Sequence, residues 1–359
     1  MRILLATNGF LPEIGGVQVY CYELAKNLTL LGEEIIVLTP KTEGDTDFDK
    51  KEKFKIIRTK KKVSSRLGFL FLLKRERIKK ILVGHGSHYV RLASLANALF
   101  KVPYDVIIHL EEILPPEREK IIQKSFKRAH KVITVSHFAK EKLVEIDIPK
   151  EKIVVIPNGV DPVKFNPILD PFRIRKKHNL KNKKVILTVA RLGEHKGHAN
   201  VIRALPQVLE KVPGGIYLVV GSGEKESRLK RLVKELGLEE KVIFTGEVEE
   251  EEIPLYYAAC DVFIMPSDIE GFGIVFLEAN ACGKPVIGGR SGGISDAIID
   301  GETGLLVNPL DIKEIADVLI RLLTNSGLAQ KLGEKGRQRV EKELNWERMA
   351  QRIREIIRI

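Results

Sequence analysis

The chain has 359 residues, which favours two domains over one. Its hydrophobic content of 44% excludes a disordered polypeptide, and no apolar run approaches the roughly 20 residues that span a bilayer. The net charge of +12 is uneven: residues 1–160 carry 29 Lys/Arg against 19 Asp/Glu, and residues 161–359 carry 31 against 29, so an anionic partner should meet the N-terminal half.

The first element, Met1–Ala6, is a short strand pattern running into a glycine loop, without the long apolar core of a signal peptide. A cytoplasmic protein is the expectation. Further strands are predicted at 34–38, 104–108, 132–135 and 153–156, then at 185–189, 216–220, 241–244, 261–265 and 285–287. These runs are short, β-branched and nearly all apolar, as strands covered on both faces must be. Helical patterns lie between them at 17–31, 117–129, 197–211, 225–236, 274–282 and 311–323. Alternating β and α elements predict parallel, doubly wound sheets. Two such series, meeting near the turn-rich Pro157–Pro162, predict two Rossmann-like α/β domains, 1–162 and 163–344. A last amphipathic helix, 345–359, is expected to pack back on the N-terminal domain. Cys21, Cys260 and Cys282 are far apart without CxxC spacing and read as buried thiols in a reducing compartment. Abundant Lys, Glu and Arg with few Cys and Met fits a thermophile.

Four loops carry candidate chemistry. Gly15 and Gly16 open the helix after the first strand, where a phosphate could approach the backbone closely; a plain strand-to-helix turn is the simpler reading. Arg191 and Lys196 follow strand 185–189, at the sheet edge where doubly wound folds bind ligands, and could neutralise a diphosphate or simply be solvated. Gly221–Glu224 reads equally well as a tight turn or a ligand contact. The fourth loop, Pro266–Glu278, places Glu270 before a helix start and Glu278 within the helix. Glu278 could hold a vicinal diol such as a ribose, Glu270 could orient a sugar hydroxyl, and the amides of Phe272, Gly273, Ile274 and Val275 could face phosphate.

Gly15-Gly16, Pro157–Asp161, Arg191 with Lys196, and Glu270 with Glu278 eight residues on resemble the retaining glycosyltransferases of family 4 (glycosyl transferases group 1), as do Gly283–Ile287 and Asp300–Val307. The resemblance implies the GT-B architecture, two Rossmann-like domains facing across a cleft. It implies transfer of a hexose-type sugar, with retention and without a metal, from a nucleotide-diphospho-sugar to an acceptor hydroxyl. The nucleotide-sugar is then a co-substrate, and no cofactor is implied. Arg191 and Lys196 would bind the diphosphate, Glu278 the ribose, and Glu270 with the Phe272–Val275 amides the sugar and phosphate. Gly15 and Gly16 would approach the diphosphate, and Val248 would lie near the base. His109, which ends strand 104–108, matches the family's histidine facing the sugar and the acceptor; the Leu110-Glu111-Glu112 that follows departs from the usual turn. His85 is a second candidate there, and with His88 it supplies too few ligands for a metal.

Residues 58–80 hold ten cations and one acid around the apolar stretch Leu67–Leu73. The segment reads either as a surface for an anionic membrane or as a buried helix start with solvated ends. Its aromatics are clustered with leucines rather than spaced for base stacking, which argues against nucleic acid. Three functions stay open: transfer to a lipid or lipid-linked glycan at the inner membrane face, transfer to a soluble acceptor, and nucleotide-sugar binding without transfer.

Overall fold

A computed structural model of the chain describes residues 1–13, 15–59, 66–110 and 119–358. They form two compact units, Met1–Asn158 with Trp346–Ile359, and Gly159–Asn345.

The first unit is a parallel sheet of seven strands: β1 (Arg2–Thr7), β2 (Glu34–Pro40), β3 (Lys55–Thr59), β4 (Lys80–His85), β5 (Tyr104–Ile108), β6 (Val132–Thr134) and β7 (Ile153–Val155). Their spatial order is β3-β2-β1-β4-β5-β6-β7. The second unit has six parallel strands: β8 (Lys184–Val189), β9 (Gly215–Val220), β10 (Val242–Gly246), β11 (Val262–Met265), β12 (Val286–Gly289) and β13 (Leu305–Val307), in the order β10-β9-β8-β11-β12-β13. Helices cover both sheets, which is why central strands such as Ile3–Ala6 and Tyr217–Val219 are almost wholly buried. Both sheets are the doubly wound type that the alternating pattern predicts.

Every predicted strand is present, and the structure adds β3, β4 and β13. β4 pairs with β1 at the centre of the first sheet. Its first residue, Lys80, belongs by sequence to the basic segment, yet its side chain is buried. Asp105 on β5 neutralises it at 2.8 Å, and His130 contacts the same carboxylate at 3.1 Å. A buried charge is tolerated when it is paired in this way. β13 is only three residues long, too short for a periodic signal.

Two long helices were also absent from the sequence reading. Ser326–Lys342 buries only Leu332, Gly333, Gly336 and Val340, so it has little apolar stripe to detect. It packs on Ile274–Ala281 and the turn that follows through its glycines: a Cβ on Gly336 would run into the Asn280 side chain, and one on Gly333 into the Gly283 carbonyl oxygen. Ser87–Phe100 follows β4 directly and was missed with it. The terminal helix Trp346–Arg358 lies on Gly16–Leu30. Arg354 and Arg358 reach the buried Glu33 carboxylate at 3.0 and 2.6 Å, and the Met1 amine reaches it at 2.7 Å. All three cysteines are buried thiols outside any disulfide.

Candidate donor site

In the second sheet, β9 and β10 build outward on one side of β8, and β11 to β13 on the other. The order reverses between β8 and β11, and in open α/β sheets ligands bind outside the strand ends at such a switch point. Four loops meet there. The loop after β8 is tied to the loop after β9 by Leu192 N–H to Ser222 O at 2.8 Å and Lys225 N–H to Leu192 O at 3.1 Å. It is tied to the loop after β11 by Asp268 N–H to His195 O at 3.1 Å. The loop after β12 closes the set, with Gly293 N–H on Glu270 O at 2.8 Å and Ser291 Oγ donating to Ser267 O at 2.7 Å. Gly197 makes the close fit possible: its φ is +78°, and a Cβ there would stand 2.3 Å from the Pro266 carbonyl oxygen.

This frame brings the predicted charges together. Lys196 Nζ donates to Glu270 Oε1, and both side chains are largely shielded from solvent, 19% and 14% exposed. Arg191 is exposed and pairs with Glu224 Oε2 at 3.3 Å. Glu224's carboxyl is held below its ordinary range first by its own backbone N–H and then by the Arg191 charge. Glu224 sits in the weak Gly221–Glu224 motif, so that turn belongs to the charged cluster. Gly273, with φ +91°, starts the helix Ile274–Ala281, and Phe272 anchors the turn by burying its ring. First-turn N–H groups such as those of Ile274 and Val275 have no partner inside the helix, which suits an anion. One turn on, Glu278 accepts a hydrogen bond from Tyr257 Oη at 2.7 Å. Burial pushes the Glu278 carboxyl above its ordinary range, against the hydrogen bond from Tyr257 and the charge of Lys164. Val248 follows the edge strand β10, whose end is joined to the β9 loop by Gly221 N–H to Gly246 O at 2.9 Å and Ser222 Oγ to Glu247 Oε1 at 2.5 Å.

Sequence reasoning missed the β12 loop and Tyr257. The loop had a visible signal in the glycines of Gly288–Gly293. Tyr257 had none, because an aromatic residue on a short helix looks like any core residue.

In the first sheet the order reverses between β1 and β4. Gly15 and Gly16 follow β1, and Gly16 begins the helix Gly16–Leu30 with nothing among the described residues within 4 Å of where its Cβ would stand. His85 ends β4, and its carbonyl accepts from Asn8 N–H at 3.2 Å. His109 follows β5, half-buried, with Nε2 donating to the Gly84 carbonyl at 3.1 Å. That bond leaves Nδ1 as the acceptor nitrogen. Burial, helped by the neighbouring His85, pushes the His109 pKa down to about 3, so the ring is neutral near pH 7. Tyr20 stands edge-on to it, with ring centroids 4.7 Å apart. Leu110 is buried with φ +101°, a strained conformation for a residue with a side chain. Glu111 and Glu112 lie outside the described residues. Among the described residues no group of three His, Cys, Asp or Glu is placed to hold a metal.

The basic segment 58–80 needs a correction. Arg58 and Lys80, its two ends, are not surface cations. The Arg58 side chain is 5% exposed, pairs with Asp49 at 2.8 Å and donates to the Leu11 carbonyl at 2.6 Å, tying down the loop after β1. The apolar stretch is divided as well: Phe69, Leu72 and Leu73 are in the core, while Leu67 and Phe71 are 79% and 65% exposed. Lys60–Lys62 lie outside the described residues. No helix among the described residues is long and apolar enough to cross a membrane.

Residues 170–339 match the family described as glycosyl transferases group 1, and residues 14–164 match glycosyltransferase family 4. A GDP-mannose-dependent alpha-(1-6)-phosphatidylinositol monomannoside mannosyltransferase of Mycolicibacterium smegmatis is 30% identical over 376 residues, covering 99% of this chain and 98% of its own. A GDP-mannose-dependent monoacylated alpha-(1-6)-phosphatidylinositol monomannoside mannosyltransferase of Corynebacterium glutamicum is 30% identical over 377 residues, covering 99% and 97%. Among solved structures, a glycosyltransferase from Rickettsia africae superposes with a TM-score of 0.86 at 25% identity, covering 99% of this chain and 97% of its own. The Anabaena protein HepE, solved in complex with UDP, superposes at 0.87 with 21% identity over 99% of both chains, a likeness of fold. Two doubly wound parallel sheets with these neighbours define a glycosyltransferase of the GT-B fold. The chain belongs to glycosyltransferase family 4, group 1.

Proposed function

We propose that this glycosyltransferase moves a hexose, with retention and without a metal ion, from a nucleotide-diphospho-sugar to a hydroxyl of a lipid or lipid-linked acceptor at the cytoplasmic membrane face. The observation that carries the reading is the Lys196–Glu270 pair, drawn from positions 74 residues apart to the β8/β11 switch point. On donor binding Lys196 exchanges the Glu270 carboxylate for the diphosphate, and Glu270 is released to accept from a sugar hydroxyl. Arg191 makes the same exchange from Glu224. Glu278 holds the ribose, and the Phe272–Val275 amides meet sugar and phosphate.

The bond from the anomeric carbon to the diphosphate oxygen breaks, leaving positive charge on the sugar and negative charge on the diphosphate. Arg191, Lys196 and the helix start stabilise the latter from fixed positions. The acceptor oxygen bonds to the anomeric carbon on the face that the diphosphate leaves, and its proton passes to a diphosphate oxygen. His109 is neutral, so it faces the sugar as a polar group rather than as a cation. GDP-mannose is the first donor to test, because relatives 30% identical along nearly the whole chain are named for it. Their acceptors, and the exposed Leu67 and Phe71, support a lipid over a soluble acceptor.

The test is sugar release or transfer from GDP-, UDP- and ADP-sugars, with and without EDTA, by wild type, Lys196→Ala and Glu278→Ala. At least one donor should be turned over in EDTA, and both variants should lose about 10²-fold or more while folded. Near-wild-type turnover in both variants would remove the site assignment, and turnover that collapses in EDTA would remove metal independence.

A further inference from the structure

Glu278 does not act alone. Tyr257, on the short helix Ile253–Ala259, holds one of its oxygens, Oε2, at 2.7 Å. The Tyr257 ring is fully buried, edge-on to Phe165 at 5.8 Å and tilted against Phe263 at 5.6 Å, so it has no room to swing away. Beside a carboxylate a phenol can only donate. Burial, and then the Glu278 charge, push the Tyr257 hydroxyl well above its ordinary range, so the donor proton is present at any working pH. With Oε2 committed, Oε1 is the oxygen left to a ligand; among the described residues no protein donor reaches it.

We infer that Tyr257 is a positioning residue: it locks the Glu278 carboxylate so that Oε1 faces the ribose hydroxyls, and so makes the donor site select ribonucleotides over 2′-deoxyribonucleotides. The inference rests on the assignment of Glu278 to the ribose made above. A carboxylate free to rotate could recover a partner for either sugar. One held by a buried phenol cannot, and a site built around a hydroxyl discriminates against the ligand that lacks it. The charged and titratable groups facing Glu278 are Tyr257, Lys164 and Glu250, with Cys282 at the end of its own helix. Lys164 is engaged with Glu250 at 2.6 Å, which leaves Tyr257 as the direct hydrogen bond that holds the carboxyl down. Removing it raises the carboxyl further. The charged form is then lost at a higher pH as the solution is acidified, and nucleotide affinity falls with it.

The experiment is binding of GDP, 2′-deoxy-GDP, UDP and 2′-deoxy-UDP to the full chain between pH 5 and 8, by calorimetry, for wild type, Tyr257→Phe and Glu278→Gln. Wild type should prefer the ribose form of the tighter nucleotide by about tenfold or more. Tyr257→Phe removes only the hydroxyl; it should keep the wild-type circular dichroism, bring the preference to within about twofold and begin losing affinity at a higher pH. Glu278→Gln should abolish the preference. If Tyr257→Phe keeps the wild-type preference and pH profile while Glu278→Gln loses the preference, the positioning role is wrong and the ribose assignment stands. If Glu278→Gln also binds like wild type, the ribose assignment itself falls. A wild-type preference below about threefold overturns the inference without any variant.

Discussion

His109 and His198, the latter buried at the start of the helix His198–Lys211, are both kept neutral by burial, His109 at about 3 and His198 at about 4 against an ordinary value of 6.5. As pH falls below 6.5 the unfolded chain takes up these protons before the folded protein does. Their contribution to stability is therefore complete above that pH and declines as pH falls towards the folded values, by about 1.4 kcal/mol per pH unit for each histidine. In urea titrations between pH 7 and 5, the stability gap between wild type and His198→Phe should shift steadily with pH in this sense; a pH-independent gap would contradict the assignment. Gly16 gives a second residue-level prediction. An alanine there meets nothing among the described residues and favours a helix, so Gly16→Ala should match wild-type stability or gain a few tenths of a kcal/mol. Its methyl group would fill the space that the proposed phosphate contact requires, and donor turnover should fall about tenfold or more; unchanged turnover would remove Gly16 from the donor site. Residues of this scale were legible where the motif spacing marked a charge, as at Arg191, Lys196 and Glu270. They were not legible where a partner decides the role: nothing in the sequence near Glu224 or Tyr257 names the side chain that each one holds.

Among the elements, the helix Arg66–Arg75 is the clearest case of a segment with two roles. Phe69, Leu72 and Leu73 fix it in the core, while Leu67 and Phe71 point outward one turn apart, followed by the exposed Lys74 and Arg75. This outer face fits the proposed contact with anionic lipid, where the apolar pair enters the interface and the cations meet headgroups. Wild type should float with phosphatidylglycerol vesicles at low salt, and Phe71→Glu/Lys74→Glu should stay in solution while keeping its fold; a wild type that does not float at low salt would end the membrane proposal. The same stretch shows the limit of reading patterns. A run of cations looks solvated, yet Lys80 opens the central strand β4 because Asp105, far away in sequence, supplies its counter-charge, and His130 contacts the same carboxylate. The helix Ser326–Lys342 escaped for the opposite reason: it packs through glycines at close approach, a contact that carries no apolar stripe.

For the molecule as a whole, alternation of short apolar runs with helical patterns was enough to predict two doubly wound parallel sheets, because strands covered on both faces must be apolar throughout. Strand order was not legible, since it depends on which loops cross the sheet. It is the order that converts scattered motifs into a site: with β8 beside β11, the Arg191–Lys196 loop lies against the Pro266–Glu278 loop. The first unit repeats the arrangement, with the Gly15-Gly16 loop and His85 at its own switch point. In the proposed reaction the Arg191–Lys196 loop binds the donor diphosphate through Lys196. The most direct test is turnover of the best donor from the nucleotide-sugar panel, beginning with GDP-mannose, by wild type and Lys196→Ala of equal circular dichroism. Lys196→Ala should lose about 10²-fold or more in kcat/KM; a variant that turns the donor over at the wild-type rate would contradict the role given to Lys196.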